Sequence, residues 1–202
     1  GKMKFHMKPN PINNKIIPEY VTHVTQTLEN NGFEAFLVGG CVRDLIIGRE
    51  VKDWDLTTNA KPEDIVGLFE KTVYENTFGT VAVCIPKVTH ETDLSENTKE
   101  ESVSYVTNTG VSPETKQKYN IIEVTPYRKE GIYKDSRHPE SVSFSENIED
   151  DLKRRDFTMN AIGYSVSKGQ FIDLYKGHED IKDKVIRAVG NPDERFQEDA
   201  LR

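Results

Sequence analysis

The stretch that most limits what this chain can become runs over residues 36–58. There Phe36-Leu37-Val38 leads into Gly39-Gly40, a short apolar segment ends at Gly48, and Asp53-Trp54-Asp55-Leu56 follows. Its pattern predicts strand, glycine turn, short helix, second strand. Three apolar residues in a row suit a buried strand. Two glycines let the backbone turn sharply and leave room for a ligand to approach. Residues 41–47 then form a helix, with Gly48 as its C-terminal stop. A glycine turn feeding a helix start aims backbone N–H groups and positive dipole at one point, which favours phosphate. On a strand, positions i and i+2 share a face, so Asp53 and Asp55 project together while Trp54 points away. Two adjacent carboxylates repel unless a cation lies between them, and a hard divalent ion such as Mg²⁺ is the natural guest. Taken singly, a Gly-Gly turn or an Asp-x-Asp pair is more often structural. Together they supply what nucleotidyl transfer requires.

The whole chain sets outer bounds on that reading. Its 202 residues suffice for one domain with a real core, or one domain and the start of another. A hydrophobic content of 35% and a charged content of 30% describe a globular protein with a polar surface. No apolar run approaches membrane-spanning length and no apolar signal segment opens the chain, so the cytosol is the default compartment. Cys41 and Cys84 stand alone, without metal-ligand spacing or a disulfide framework. A net charge of −7 argues against a broad nucleic-acid surface, so any grip on RNA must be local or supplied from elsewhere.

Periodicity lays out the remaining elements. Residues 18–31 read as the first helix, with Val21, Val24 and Leu28 on one face, and residues 33–38 as the first strand. A helix starts within 58–64 and carries Ile65, Val66, Leu68 and Phe69. Residues 80–85 and 120–125 read as strands separated by a polar insert, 87–119, taken as a solvated loop or hairpin in which 103–106 alone has strand character. A second charged loop spans 127–140. Residues 149–166 read as one helix, followed by a strand at 171–174, a turn at Gly177, a short helix holding Asp180, and a terminal helix over 194–202.

Three further constellations bear on chemistry. Glu123 lies in Ile121-Ile122-Glu123-Val124-Thr125, a run that otherwise wants burial. An unpaired carboxylate there would cost on the order of several kcal/mol, so it needs a partner, either a cation or a structural arginine such as Arg128. On the helix expected over 149–166, Asp156 and Asn160 share a face beside Arg155 and could read the hydroxyls of a ribose. An intrahelical salt-bridge cluster is the structural alternative. Glu198 and Arg202 are four apart, and Asp199 and Arg202 three apart. An aspartate acceptor beside an arginine donor suits the Watson–Crick edges of C and A and rejects U and G, although the same spacing also makes an ordinary helix salt bridge.

Five motifs occur in one order: Gly-Gly-x-Val-Arg-Asp, Asp-x-Asp, Glu-Val-Thr, Arg-Arg-Asp-Phe-Thr-Met-Asn-Ala and Arg-Phe-x-Glu-Asp-Ala-Leu-Arg. In this the chain resembles the class II tRNA nucleotidyltransferase (CCA-adding enzyme) and bacterial poly(A) polymerase family over about residues 32–202. The resemblance implies an α+β head of mixed sheet and flanking helices over 1–172, with 173–202 connecting to the start of a helical neck. It implies Asp53 and Asp55 as ligands of catalytic Mg²⁺, with Glu123 as third carboxylate. Gly39, Gly40 and Arg43 would face the triphosphate and Arg155 and Asp156 the ribose, with Asn160 on the same side. Glu198, Asp199 and Arg202 would serve as the amino-acid template for CTP and ATP, and the loop near 128–139 would match the one linked to the switch from C to A addition. Two departures stand out: the 87–119 insert is longer than the usual connection, and the sequence stops inside the last motif. The helices that would support Arg202 and hold tRNA are therefore expected outside it.

The activity implied is template-independent addition of C and A to the tRNA 3′ end, with pyrophosphate released. A poly(A) polymerase or a partial CC- or A-adding enzyme would use the same chemistry. An Asp-x-Asp glycosyltransferase would leave the Arg-Arg-Asp-Phe-Thr motif unexplained, and a non-catalytic RNA-binding module would not need the carboxylates.

Overall fold

The structure, a computed structural model, describes residues 12, 16–74, 79–87, 111–129 and 143–194. Pro18 has an extended backbone and opens α1 (Glu19–Asn30), whose Val21, Val24 and Leu28 are fully buried. β1 (Ala35–Val38) follows and delivers Gly39, the N-cap of α2 (Gly40–Ile47). Gly39 has φ +74° and Gly48 caps the other end of α2 at φ +73°, both conformations that favour glycine. Next come β2 (Trp54–Thr58), α3 (Pro62–Leu68), β3 (Thr72–Tyr74) and β4 (Val81–Pro86). The chain then resumes with α4 (Pro113–Lys118), β5 (Tyr119–Pro126) and α5 (Ile148–Lys153), and closes with β6 (Ile162–Ser165), β7 (Gln170–Asp173) and α6 (Gly177–Asp183).

The strands form a mixed sheet in the order β3-β4-β5-β2-β1-β6-β7. Among the described strands β2 and β5 run parallel and every other neighbouring pair is antiparallel. Side-chain alternation then divides the molecule. Leu37, Trp54, Leu56, Val81, Val83, Ile122 and Val124 join the core formed with α1, α2 and α3. Val38 enters a smaller cluster on the other side with Tyr127, Ile148, Leu152 and Ile172. Asp55 and Glu123 alternate with core residues, so they project from the face opposite the main core.

Three expectations change. The helix foreseen over 149–166 ends at Lys153. A 3-10 turn (Thr158–Asn160) and strand β6 replace the rest of it, because the apolar residues after 160 alternate and pair with β1 and β7. The last part of the 87–119 insert is ordered: Ser112 caps α4 by accepting from the Thr115 amide at 3.2 Å, and Val111 is buried. The strand character at 103–106 lies outside the described residues. Strand β3, at the sheet edge, escapes detection because three half-exposed residues leave no periodic signal.

Candidate active site

Local sequence explains why the glycine turn is a cradle. A Cβ on Gly39 would stand 3.3 Å from Arg155 Nη1 and 3.8 Å from Asp55 Oδ2, and one on Gly40 would stand 3.3 Å from Arg43 Nη2. Two guanidinium groups therefore lie against backbone that only glycine leaves open. Arg43 rises one turn into α2, donates through Nε to Asp44 Oδ1 at 3.0 Å, and reaches across to Asn160 Oδ1 through Nη1 at 3.2 Å. Arg155 is held by Asp151, whose Oδ2 accepts from Nη2 at 3.0 Å and whose side chain is 1% exposed.

The carboxylates face this cradle from the sheet. Asp55 and Glu123 are direct partners across the parallel β2–β5 pair. Burial pushes the Asp55 carboxyl up to about 6; the Glu123 charge adds to this, Arg155 opposes it, and Asp53 raises it further. Glu123 also shares a side-chain hydrogen bond with Asp55. Two carboxylates this close repel each other, and a cation between them would relieve the repulsion. Asp53 lies just ahead of β2 and is exposed, so it extends the acidic edge from outside the strand rather than from its face.

Among the described residues, no group of three or more His, Cys, Asp or Glu is arranged as a ready metal cage. The donor set still suits a hard ion. Mg²⁺ is usually held by one or two carboxylates plus substrate phosphates and water, not by an all-protein cage, and Asp55, Glu123 and Asp53 offer only oxygen.

Glu123 differs from its expected setting. Its neighbours Ile122 and Val124 are buried while it is exposed, so the alternation of the strand keeps it out of the core. Asp156 and Asn160 do not share a helix face, since the helix has already ended. Asp156 Oδ1 accepts from the Phe157 amide at 2.7 Å, which starts the 3-10 turn, and Asn160 at the end of that turn meets Arg43. Glu198, Asp199, Arg202 and most of the loop near 128–139 lie outside the described residues. Cys41 is buried under the turn, its thiol pushed up to about 12 by burial, so it packs rather than reacts.

Sequence reasoning missed the groups that hold the site in place. Asp151 was detectable from its i,i+4 spacing to Arg155. Asp180 was not, because its partner lies far away in sequence: Thr158 Oγ1 donates to Asp180 Oδ2 at 2.7 Å, and Arg187 Nε donates to both oxygens at 3.1 and 3.2 Å. These contacts fix the 3-10 turn that carries Asn160.

Comparison with known proteins agrees with this geometry. A profile described as the poly A polymerase head domain matches residues 35–108 and 89–187. The CCA-adding enzyme of Lactobacillus helveticus is 41% identical over 180 residues, covering 89% of this chain and 37% of that protein. That of Geobacillus kaustophilus is 40% identical over 185 residues, covering 91% of this chain and 38% of that protein. The chain thus spans under two-fifths of the length of these relatives. Among solved structures, the Bacillus stearothermophilus CCA-adding enzyme in complex with CTP superimposes with a TM-score of 0.66 at 35% identity, covering 91% of this chain and 36% of that one. The Thermotoga maritima enzyme complexed with tRNA shares the fold, with a TM-score of 0.61 at 20% identity, covering 97% of this chain and 40% of that one. With its mixed sheet, glycine turn and facing carboxylates in one order, the chain belongs to the poly A polymerase head-domain family.

Proposed function

We propose that this chain is the catalytic head of a template-independent RNA nucleotidyltransferase that adds C and A to the tRNA 3′ end from CTP and ATP. The observation that carries this reading is the Asp55–Glu123 pair set across β2 and β5 beside a glycine turn covered by two guanidinium groups. The names of the relatives point the same way, as does the CTP bound to the structure at 35% identity. Residues 1–172 form the head and 173–202 lead from it toward a helical neck.

The RNA 3′ oxygen attacks the α-phosphorus of the nucleotide. A new O–P bond forms, the bond to the bridging oxygen of the β-phosphate breaks, pyrophosphate leaves with that electron pair, and the hydroxyl proton passes to water. Gly39 and Gly40 let the triphosphate approach the start of α2, where Arg43 and Arg155 offset its charge. Asn160 holds Arg43 in that position and Asp151 holds Arg155. Asp53, Asp55 and Glu123 would hold Mg²⁺, which when bound lowers the pKa of the attacking hydroxyl and stabilises charge on the leaving oxygens. Positioning and charge, rather than covalent work by side chains, account for the acceleration. Glu198, Asp199 and Arg202 would select the base. Cys41 and Cys84 are buried and in no disulfide, which accords with the reducing cytosol.

The test is to supply the full-length protein with tRNA lacking its 3′ end and all four nucleotides, then sequence the RNA ends. Two C residues followed by A are expected. A run of A alone would identify the poly(A) polymerase reading, and no incorporation in saturating Mg²⁺ would overturn both.

A further inference from the structure

A cleft of about 260 Å³ opens beside the carboxylates. Asp53 and Glu123 line it, whereas Asp55, Gly39, Arg43 and Arg155 do not. It is therefore distinct from the glycine cradle although both meet the same acidic edge. Three lysines stand on its wall: Lys52 just before β2, Lys87 at the end of β4 and Lys116 on α4. All three are exposed, and among the described residues none forms an ion pair. Their grouping is built into the fold. Lys87 Nζ donates to the Lys116 carbonyl at 2.9 Å and the Lys87 amide donates to the Lys118 carbonyl at 3.0 Å, which ties the end of β4 to α4. In a chain of net charge −7, a cleft lined by three lysines against the two carboxylates Asp53 and Glu123 carries a local excess of positive charge.

We propose that this cleft seats the phosphodiester backbone of the RNA 3′ end. The inference rests on the nucleotidyl-transfer reading and adds the place of the second reactant. Two anionic reactants must meet at the carboxylates, and the glycine cradle, with its two arginines, is shaped for the triphosphate. The lysine cleft is left for the acceptor strand. Its chemistry suits that role. Lysine is a mobile point charge without the planar fork of arginine, so it attracts phosphates without fixing one register or reading a base. An acceptor that advances by one nucleotide after each addition needs such a grip. Two of the three lysines flank the insert that separates β4 from β5, which gives that insert a function at its base.

The decisive variant in the full-length protein is Lys52→Gln with Lys116→Gln, and the control is Lys52→Arg with Lys116→Arg. Lys87 is kept because it ties β4 to α4. Loss of two phosphate contacts should raise the KM for RNA on the order of tenfold and make the salt slope of RNA binding shallower by about 1.4, at about 0.7 per phosphate on a single strand. The KM values for CTP and ATP should stay near those of the unaltered protein, and the arginine pair should restore RNA binding. Unchanged RNA affinity and slope would overturn the assignment. An equal rise in the nucleotide KM values would also overturn it by giving the cleft to the triphosphate. If the unaltered protein adds no nucleotide to RNA, the nucleotidyl-transfer reading fails, and the salt slope still decides whether the cleft binds RNA.

Discussion

Asp151 Oδ2 accepts from Arg155 Nη2 at 3.0 Å, while Nη1 of the same guanidinium lies against Gly39. A residue with its side chain 1% exposed thus aims a cation at the glycine turn from beneath. Replacing Asp151 by Ala should release Arg155 and leave it short of a buried partner, at a stability loss of about 2 kcal/mol. Nucleotide affinity should fall on the order of tenfold, which corresponds to about 1.4 kcal/mol. Asp151→Asn keeps an acceptor and should recover part of both. Thermal unfolding and CTP titration measure the two effects separately. Equal nucleotide affinity in Asp151→Ala and the unaltered protein would remove the positioning role.

Gly39 and Gly48, at the two ends of α2, offer a comparison. Both have φ near +74°, at +74° and +73°, but a Cβ on Gly48 meets nothing within 4 Å. Gly48, with ψ +26°, is left-handed helical, and alanine there should cost about 1 to 2 kcal/mol. Gly39, with ψ −142°, lies in a region nearly reserved for glycine, and alanine there should cost up to about 3 kcal/mol. Gly39→Ala should in addition push on Arg155 and fill the space a phosphate needs. Nucleotide incorporation should therefore fall sharply in Gly39→Ala and only slightly in Gly48→Ala. Comparable activity in the two variants would mean that the turn does not receive the nucleotide.

The carboxylate pair predicts opposite effects on stability and activity. Asp55→Asn removes a charge that Glu123 and Asp53 oppose, so the protein without metal should melt at the same temperature or higher. Addition of Mg²⁺ should raise the Tm of the unaltered protein and not that of the variant. Nucleotide incorporation should drop by more than about a hundredfold, the rate equivalent of some 2.7 kcal/mol. A variant that loses stability without metal and keeps activity would contradict this assignment.

Asp180 should make the fold acid-sensitive. Hydrogen bonds from Thr158 and Arg187 hold its carboxyl below the usual range. A carboxylate whose pKa is lower in the folded state adds stability above its unfolded value, about 3.9, and loses it as pH falls through the folded value. Asp180→Asn should lower Tm at pH 7, and the gap from the unaltered protein should close as the pH falls below about 4. Melting curves over that range test the sign; a gap that widens in acid would reverse it.

Much of the core of this site was legible because it is local. Residues 36–58 carry strand, turn, helix and acidic strand within one contiguous run, and each obeys a short-range rule. The parts that were not legible depend on distant partners. Asn160 reaches Arg43 across 117 positions, and Thr158 reaches Asp180 across 22. The misread helix over 149–166 shows why. Charged residues with good helix propensity ran into Arg154-Arg155-Asp156, and no residue there forbids a helix. What ends it is the pairing of β6 between β1 and β7, a tertiary demand that outweighs propensity. For Glu123 the apolar run reads as a strand that wants burial throughout, and what the run does not show is that the strand keeps one open face.

The parallel pairing of β2 with β5 has a consequence for how the site comes into being. Thr57 and Thr125, which lie in the same register as the acidic pair, are 68 positions apart, and β3, β4 and the insert lie between them. The β1–β2 pairing closes over a short span, but β5 must be inserted between β2 and β4 after both exist. Such a non-local contact closes late and slowly. A chain emerging from the ribosome would complete its glycine turn and first aspartates well before it could bring Glu123 beside them. The acidic centre is thus a product of the insertion of β5, and a nascent or partly unfolded head has no place to assemble it.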